Sequence, residues 1–278
     1  MLFQGKKGVI MGVANQMSIA ASVAQFLHSQ GAQLAFSHLP DKDDRGRNEA
    51  RVRRVTDALN PVLLKPCDVG NDEDIKNFFA AVKETMGSID FFVHSIAFAP
   101  TEDLKQKTVD VSRAGFKLAM DISVYSFISC ARAAAELMTS GGSIVTMTYY
   151  GGEKVLPGYN LMGVCKAALD CSVKYLAYDL GPKNIRVNAI SAGPIKTLAS
   201  SAVGDFSELL KFYGAVAPLG RAVSQEDVAK ASAYLLSDWG SGTTGDVLHV
   251  DAGYHVMGSV RKGLRTGEKT TSQEPPTL

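Results

Sequence analysis

Cysteine, histidine and tryptophan are scarce in these 278 residues, numbering four, five and one. Cys67, Cys130, Cys165 and Cys171 stand singly inside apolar segments. That arrangement excludes a disulfide frame and a thiolate zinc site, and it predicts small buried side chains in a reducing compartment. His28, His38, His94, His249 and His255 show no ligand-like interval, so no resident metal is expected. No apolar run approaches the roughly 20 residues that a membrane-spanning helix needs. The opening MLFQGKKGVIMGV is too short in its apolar run for a secretion signal, which points to the cytoplasm. Excess charge is missing too: 29 Lys and Arg against 28 Asp and Glu leave +1, so no general field draws the molecule to nucleic acid or anionic lipid.

What is present is alternation. KGVIMGV reads as a strand, SIAASVAQFLHSQGA as a helix ending at Gly31, and QLAFSHL as a second strand. PVLLKPCDV, IDFFVHSIA, GSIVTMTYY, IRVNAISAG and GDVLHVDAG continue the strands, with helical stretches between them. The strands are nearly continuous in apolar residues, so both faces of the sheet are covered. Strand–helix alternation with short links predicts a single α/β domain over residues 1–258, a doubly wound Rossmann-type fold with a seven-stranded parallel sheet and helices on both faces. Residues 259–278 are polar and aperiodic and read as a mobile tail.

In such a sheet, ligands sit beyond the carboxyl ends of the strands. The first strand runs into MGVANQMSIA without the usual G-x-G-x-x-G. Gly12 allows a tight turn and close approach of a pyrophosphate, and Ser18 stands at the N-cap of the helix whose open N–H groups would face that anion. Asp68 and Val69 end the third strand, where an acid and a backbone group suit an adenine edge. Ser95, Ile96 and Ala97 end the fourth, where small groups suit a ribose and a nicotinamide. At the end of the second strand, Leu39 and Pro40 stand where an NADP enzyme needs a cation, and Asp41 and Asp43 add repulsion, although Arg45 and Arg47 could fold back. This favours NADH over NADPH.

Two tyrosine–lysine pairs compete. Tyr150 and Lys154 are four apart, but Gly151-Gly152 and Pro157-Gly158 make that segment a loop. Tyr159 and Lys166 are seven apart at the start of a long helix, roughly 20° short of two full turns, so they share a face about 10 Å apart along the axis. The helix is apolar nearly all round, and a buried Lys166 demands a partner such as ribose hydroxyls. Tyr149 ends the fifth strand at the same rim.

MGVANQMSIA, CDV, HSIAFAP, MDISVYSF, Tyr149 with Tyr159-x6-Lys166, and RVNAISAGPIKTLAS together resemble the NADH-dependent enoyl-acyl-carrier-protein reductases of the short-chain dehydrogenase/reductase superfamily. The likeness runs through nearly all of residues 3–258. It implies that Tyr159 donates to the thioester carbonyl, Lys166 holds the nicotinamide ribose and Tyr149 lines the acyl pocket. Gly12, Ser18, Ile19, Leu39, Asp68, Val69 and Ile96, with Ile195, Lys196, Thr197, Leu198 and Ala199, would contact the cofactor. Ala99, Met162, Val203 and Phe206 would border the substrate, the last two from a flap over about 198–215. Leu39 and Ala97 depart from the polar residue and the glycine common in relatives. The resemblance further implies that the cation on Lys166 lowers the Tyr159 pKa. It implies an acyl-carrier protein as substrate carrier, with Lys196, Lys211 and Arg221 as a candidate docking patch, and a homotetramer. The alternatives are a ketoacyl or other carbonyl reductase, for which Thr146 and Thr148 are the nearest hydroxyls before Tyr159, and an inert nucleotide sensor.

Overall fold

β1 (Lys7–Met11) buries Val9, Ile10 and Met11 completely, and it becomes an inner strand of the sheet. Residues 1–41, 43, 45–197 and 206–259 are described by this computed structural model, with 206 and 207 described in backbone only. Parallel to β1 lie β2 (Gln33–His38) on one side and β4 (Phe91–His94) on the other. With β3 (Leu63–Pro66), β5 (Gly142–Thr148), β6 (Ile185–Ala192) and β7 (Val247–Val250), the order is β3-β2-β1-β4-β5-β6-β7, all parallel. The expected seven-stranded doubly wound sheet is therefore the observed one. Order reverses between β1 and β4, which puts the ligand crevice at their carboxyl ends.

Two apolar layers flank the sheet. One face packs α1 (Ile19–Ser29), α2 (Arg47–Thr56) and α9 (Gln225–Leu236) onto Ile10, Phe36, Phe91 and Ile190. The other packs α3 (Asp72–Met86), α6 (Ser126–Leu137) and α7 (Asn160–Leu180) onto Val9, Phe92, Ile144 and Val187. Phe78, Phe79 and Phe92 meet edge to face at centroid distances of 5.4 and 5.9 Å, the arrangement aromatic quadrupoles favour. Cys67, Cys130 and Cys165 are buried as expected, and burial pushes the Cys67 thiol up to about 12. Cys171 is exposed instead, because it falls on the outer face of α7.

Before the crevice, α4 (Thr101–Lys105) and α5 (Arg113–Met120) form a small third cluster with α7. Asn160 Nδ2 donates to the carbonyls of Leu104 and Asp103, at 2.9 and 3.3 Å, and so fastens α4 to the start of α7. α5 runs into α6 through a π-helical turn, Asp121–Tyr125. There the fully buried Ser123 hydroxyl accepts from the Phe98 N–H and donates to the Phe98 carbonyl, each at 3.0 Å. Such a turn adds one residue to a helix and re-aims a side chain, which suits a helix beside a binding site. The helix α8 (Phe206–Val216) completes the described elements on the crevice side.

Candidate active site

At the β1–α1 turn, Gly12 has φ +102°, and a Cβ there would lie 2.1 Å from the Ser95 carbonyl oxygen. Only glycine fits. Ser18 does occupy the N-cap position of α1, yet its side chain caps nothing. Its hydroxyl turns back and accepts from the N–H groups of Ala14 and Asn15, both at 3.1 Å, and donates to the Asn15 carbonyl. Ser18 thus shapes the loop and leaves the positive end of the helix open to an anion. Substituting Gly12 with alanine should abolish measurable NADH binding and lower thermal stability by several degrees, because the left-handed backbone and the Ser95 clash act together. Unchanged NADH quenching of this variant's intrinsic fluorescence would contradict that placement.

At the far end, Leu39 is 56% exposed, so an apolar side chain stands where a 2′-phosphate would need a cation. Asp41 accepts from the N–H groups of Asn48 and Glu49, at 2.6 and 3.2 Å, and these bonds, the Asn48 one foremost, hold its carboxyl below the usual range. Arg45 and Arg47 do not fold back into the crevice: Asp43 takes Arg45 at 2.6 Å and Arg47 at 3.2 Å. Asp68 spends one carboxylate oxygen on the Gly70 N–H, 2.9 Å away, and Asp74 accepts from the Asp68 N–H at 3.0 Å.

The reactive end joins β5 to α7. Tyr159 caps α7 with φ −97° and Lys166 follows two turns later, as the spacing predicts. A Cβ on Gly151 would lie 2.3 Å from the Tyr159 ring, so the glycine makes room for it. Tyr149 meets Tyr159 edge to face at 4.8 Å. Tyr150 is turned away, its hydroxyl donating to the His255 carbonyl at 3.2 Å, and Lys154 is exposed, so the four-residue pair is indeed incidental.

Lys166 is 6% exposed, and its ammonium donates to the Met147 carbonyl at 2.7 Å. Burial pulls its pKa down to about 8 against the opposing pull of Asp170. Among the described residues, Thr148 Oγ1 and Asp170 Oδ1 are buried without a hydrogen-bond partner. Burial, and after it the neighbouring Tyr149, Cys165 and Asp170, pushes the Tyr159 phenol up. The expected lowering by Lys166 is not among the causes: every one of them raises the phenol, and the ammonium is turned to the Met147 carbonyl. His94, fully buried between Ser126 and Thr146, is pushed down to about 3 by burial and then by Lys166, so it stays neutral.

A cavity of about 1280 Å³ connects these ends. Gly12, Ser18, Ile19, Leu39, Asp68 and Val69 line its nucleotide end. Ser95, Ile96, Ala97, Ile195 and Thr197 line its middle, and Tyr149, Tyr159 and Lys166 its reactive end. Lys196 is not among the lining residues. Neither are Ala99 and Met162: both are buried with Leu161 and Cys165 in the small cluster behind Tyr159, so they shape the wall without bordering the space. Leu198, Ala199 and Val203, the Phe206 side chain, much of the flap and all of the tail after Ser259 lie outside the described residues. The sequence reading missed Phe98, Leu118, Leu209, Tyr213 and Tyr254, which also line the cavity. The match to G-x-G-x-x-G at Gly240-Ser241-Gly242-Thr243-Thr244-Gly245 leads into β7, away from the carboxyl ends of the strands.

The family model described as Enoyl-(Acyl carrier protein) reductase matches residues 12–255. The NADH-dependent enoyl-acyl-carrier-protein reductase FabI of Nostoc is 50% identical over 254 residues, 91% of this chain and 98% of the relative. That of Rickettsia felis is 51% identical over 258 residues, covering 93% and 97%. The solved reductase of Anaplasma phagocytophilum, in complex with NAD, superposes with TM-score 0.89 at 50% identity, covering 94% of this chain and 98% of that one. The Bacillus cereus enzyme, solved with NADP+ and an indole naphthyridinone, gives 0.88 at 49%, covering 93% and 99%. A doubly wound sheet with Tyr159 and Lys166 two turns apart at its crevice, and likeness to these enzymes along nearly the whole chain, lead to one statement: the chain belongs to the enoyl-acyl-carrier-protein reductase family.

Proposed function

We propose that this chain reduces the trans-2 double bond of enoyl thioesters carried on acyl-carrier protein, with NADH as reductant. The carrying observation is the shared cavity. Tyr159 and Lys166 open at one end of the same space whose other end is lined by Gly12, Ser18 and Asp68. One further feature suits a dinucleotide: the glycine-only contact of Gly12 with Ser95. Leu39, and the capture of Arg45 and Arg47 by Asp43, support NADH over NADPH.

NADH, when bound, supplies the hydride. Lys166 would leave the Met147 carbonyl to hold ribose hydroxyls, while Gly12 and the open end of α1 hold the pyrophosphate. Tyr159, kept protonated by burial, donates to the thioester oxygen, where negative charge collects as the β-carbon is reduced. This explains the seven-residue interval. In carbonyl reduction the charged oxygen sits on the carbon that receives the hydride. In enoyl reduction it lies two atoms farther along, so the donor must stand a helical turn farther from Lys166. Tyr149 lines the acyl side and helps to position the substrate.

Residues 1–258 are read as one catalytic domain. No helix among the described residues is long and apolar enough to cross a membrane, which agrees with a cytoplasmic site of action. Tyr175, Tyr178 and Val164 on the outer face of α7 are 69%, 82% and 40% exposed, which supports burial by further copies in a homotetramer. The docking patch is less basic than its lysines and arginine imply: Glu208 pairs with Lys211 and Asp227 with Arg221, each at 2.7 Å.

The test is spectrophotometric. NADH oxidation should be seen with a crotonyl or longer trans-2-enoyl thioester and not with an acetoacetyl thioester. Oxidation with the acetoacetyl substrate alone would make the chain a ketoacyl reductase, and with neither substrate the enzymatic reading would fall.

A further inference from the structure

Tyr213 stands on α8, 64 residues beyond Tyr149, and is 5% exposed. Its hydroxyl lies 3.0 Å from the Tyr149 hydroxyl. Its ring stacks on Tyr254 with centroids 4.0 Å apart and planes 23° apart, so the phenol is held from behind. Tyr149 in turn presses edge-on against Tyr159. Four tyrosines, Tyr254, Tyr213, Tyr149 and Tyr159, therefore run in sequence of contact along one wall of the cavity.

A phenol carries one proton. If Tyr149 gave its proton to Tyr213, it would offer a substrate only lone pairs. If Tyr213 is the donor, the Tyr149 oxygen is satisfied and its own proton is free for the cavity. Burial favours the second arrangement. Tyr213 is 5% exposed, and its proton has the Tyr149 oxygen within reach at 3.0 Å, whereas Tyr149 is only half-buried on the cavity wall and can spend its own proton there. Donation to an oxygen that itself donates onward strengthens the second bond.

We propose that Tyr213 is a positioning residue for the reduction: it donates to the Tyr149 oxygen and so aims the Tyr149 proton at the thioester. The inference rests on the reaction proposed above. It gives α8 a second task besides covering the cavity, because the same helix that lines the cavity also orients a phenol just beyond β5.

Tyr213→Phe removes the hydroxyl and keeps the stack on Tyr254. With a crotonyl thioester and NADH, kcat should fall about fivefold, with KM for the thioester and the dissociation constant for NADH within about twofold of wild type. In a Tyr149→Phe background the same substitution should change nothing further, since no oxygen remains to receive the bond. Unaltered kcat in Tyr213→Phe, a loss confined to KM, or a repeat of the full loss in the Tyr149→Phe background would each overturn the proposal. If Tyr213→Phe lowers Tm, the double variant still decides: a displaced helix costs activity in either background, a lost hydroxyl contact in only one. A wild type inactive on enoyl thioesters removes both the reaction and this inference, whereas an active wild type with an unaffected Tyr213→Phe removes this inference alone.

Discussion

Tyr159→Phe lowers kcat by about 10²–10³ and leaves the NADH dissociation constant within about twofold, because the phenol acts on charge that exists only in the transition state. Desolvation raises the phenol's pKa, so in the free protein it carries its proton throughout the working pH range. The ring is lodged over Gly151 and against Tyr149, and phenylalanine preserves both contacts. The loss should therefore be one of chemistry and not of folding. Single-turnover reduction measured beside fluorescence titration of NADH separates the two. Matching losses in turnover and in NADH affinity would mean that Tyr159 serves the cofactor, and the assignment of the enolate donor would fail.

Lys166→Met separates stability from function in the opposite direction. The ammonium is buried with a pKa of about 8, against 10.5 for a free lysine, so carrying the charge inside costs about 3 kcal/mol. Methionine loses the 2.7 Å bond to Met147, worth on the order of 1 kcal/mol, and fills much the same space. The apoprotein should therefore gain about 1–2 kcal/mol, or roughly 2–4 °C in Tm, while NADH binds about 10- to 100-fold more weakly. pH adds a signature. Between pH 8 and 10.5 the unfolded chain holds a proton on Lys166 that the folded chain has released, so stability from this group rises with pH across that window. Urea titrations of wild type from pH 8 to 10 should thus close the gap to the variant. A variant less stable than wild type at pH 7, with a gap that does not depend on pH, would show that the lysine is a structural tie.

Much of this molecule could be read without coordinates because its signals are local. Runs such as GVIM and SIVTM, with no alternation, announce strands covered on both faces, and the Tyr159–Lys166 interval needs only the pitch of a helix. What escaped the reading depends on direction or on distance along the chain. Ser18 stands at the expected cap position, but which backbone groups its hydroxyl chooses is settled by the loop around it. Ala99 and Met162 lie close to the site in sequence, yet packing with Leu161 and Cys165 turns them behind the wall. Tyr213 and Tyr254 reach the cavity from α8 and from beyond β7, and a tyrosine in an amphipathic helix reads as core until the fold brings it to Tyr149. Cys171 and Cys165 share the same apolar text and differ only in which way α7 faces.

Ser123 holds both main-chain groups of Phe98, so this floor of the cavity is buttoned to a helix and not to the strand from which it emerges. Drift in β4 can alter the core beneath and leave that floor where it is. Drift in the turn at Asp121–Tyr125 moves the button itself. Differences in cavity width among relatives should accordingly track this turn, which lines the cavity through Ile122.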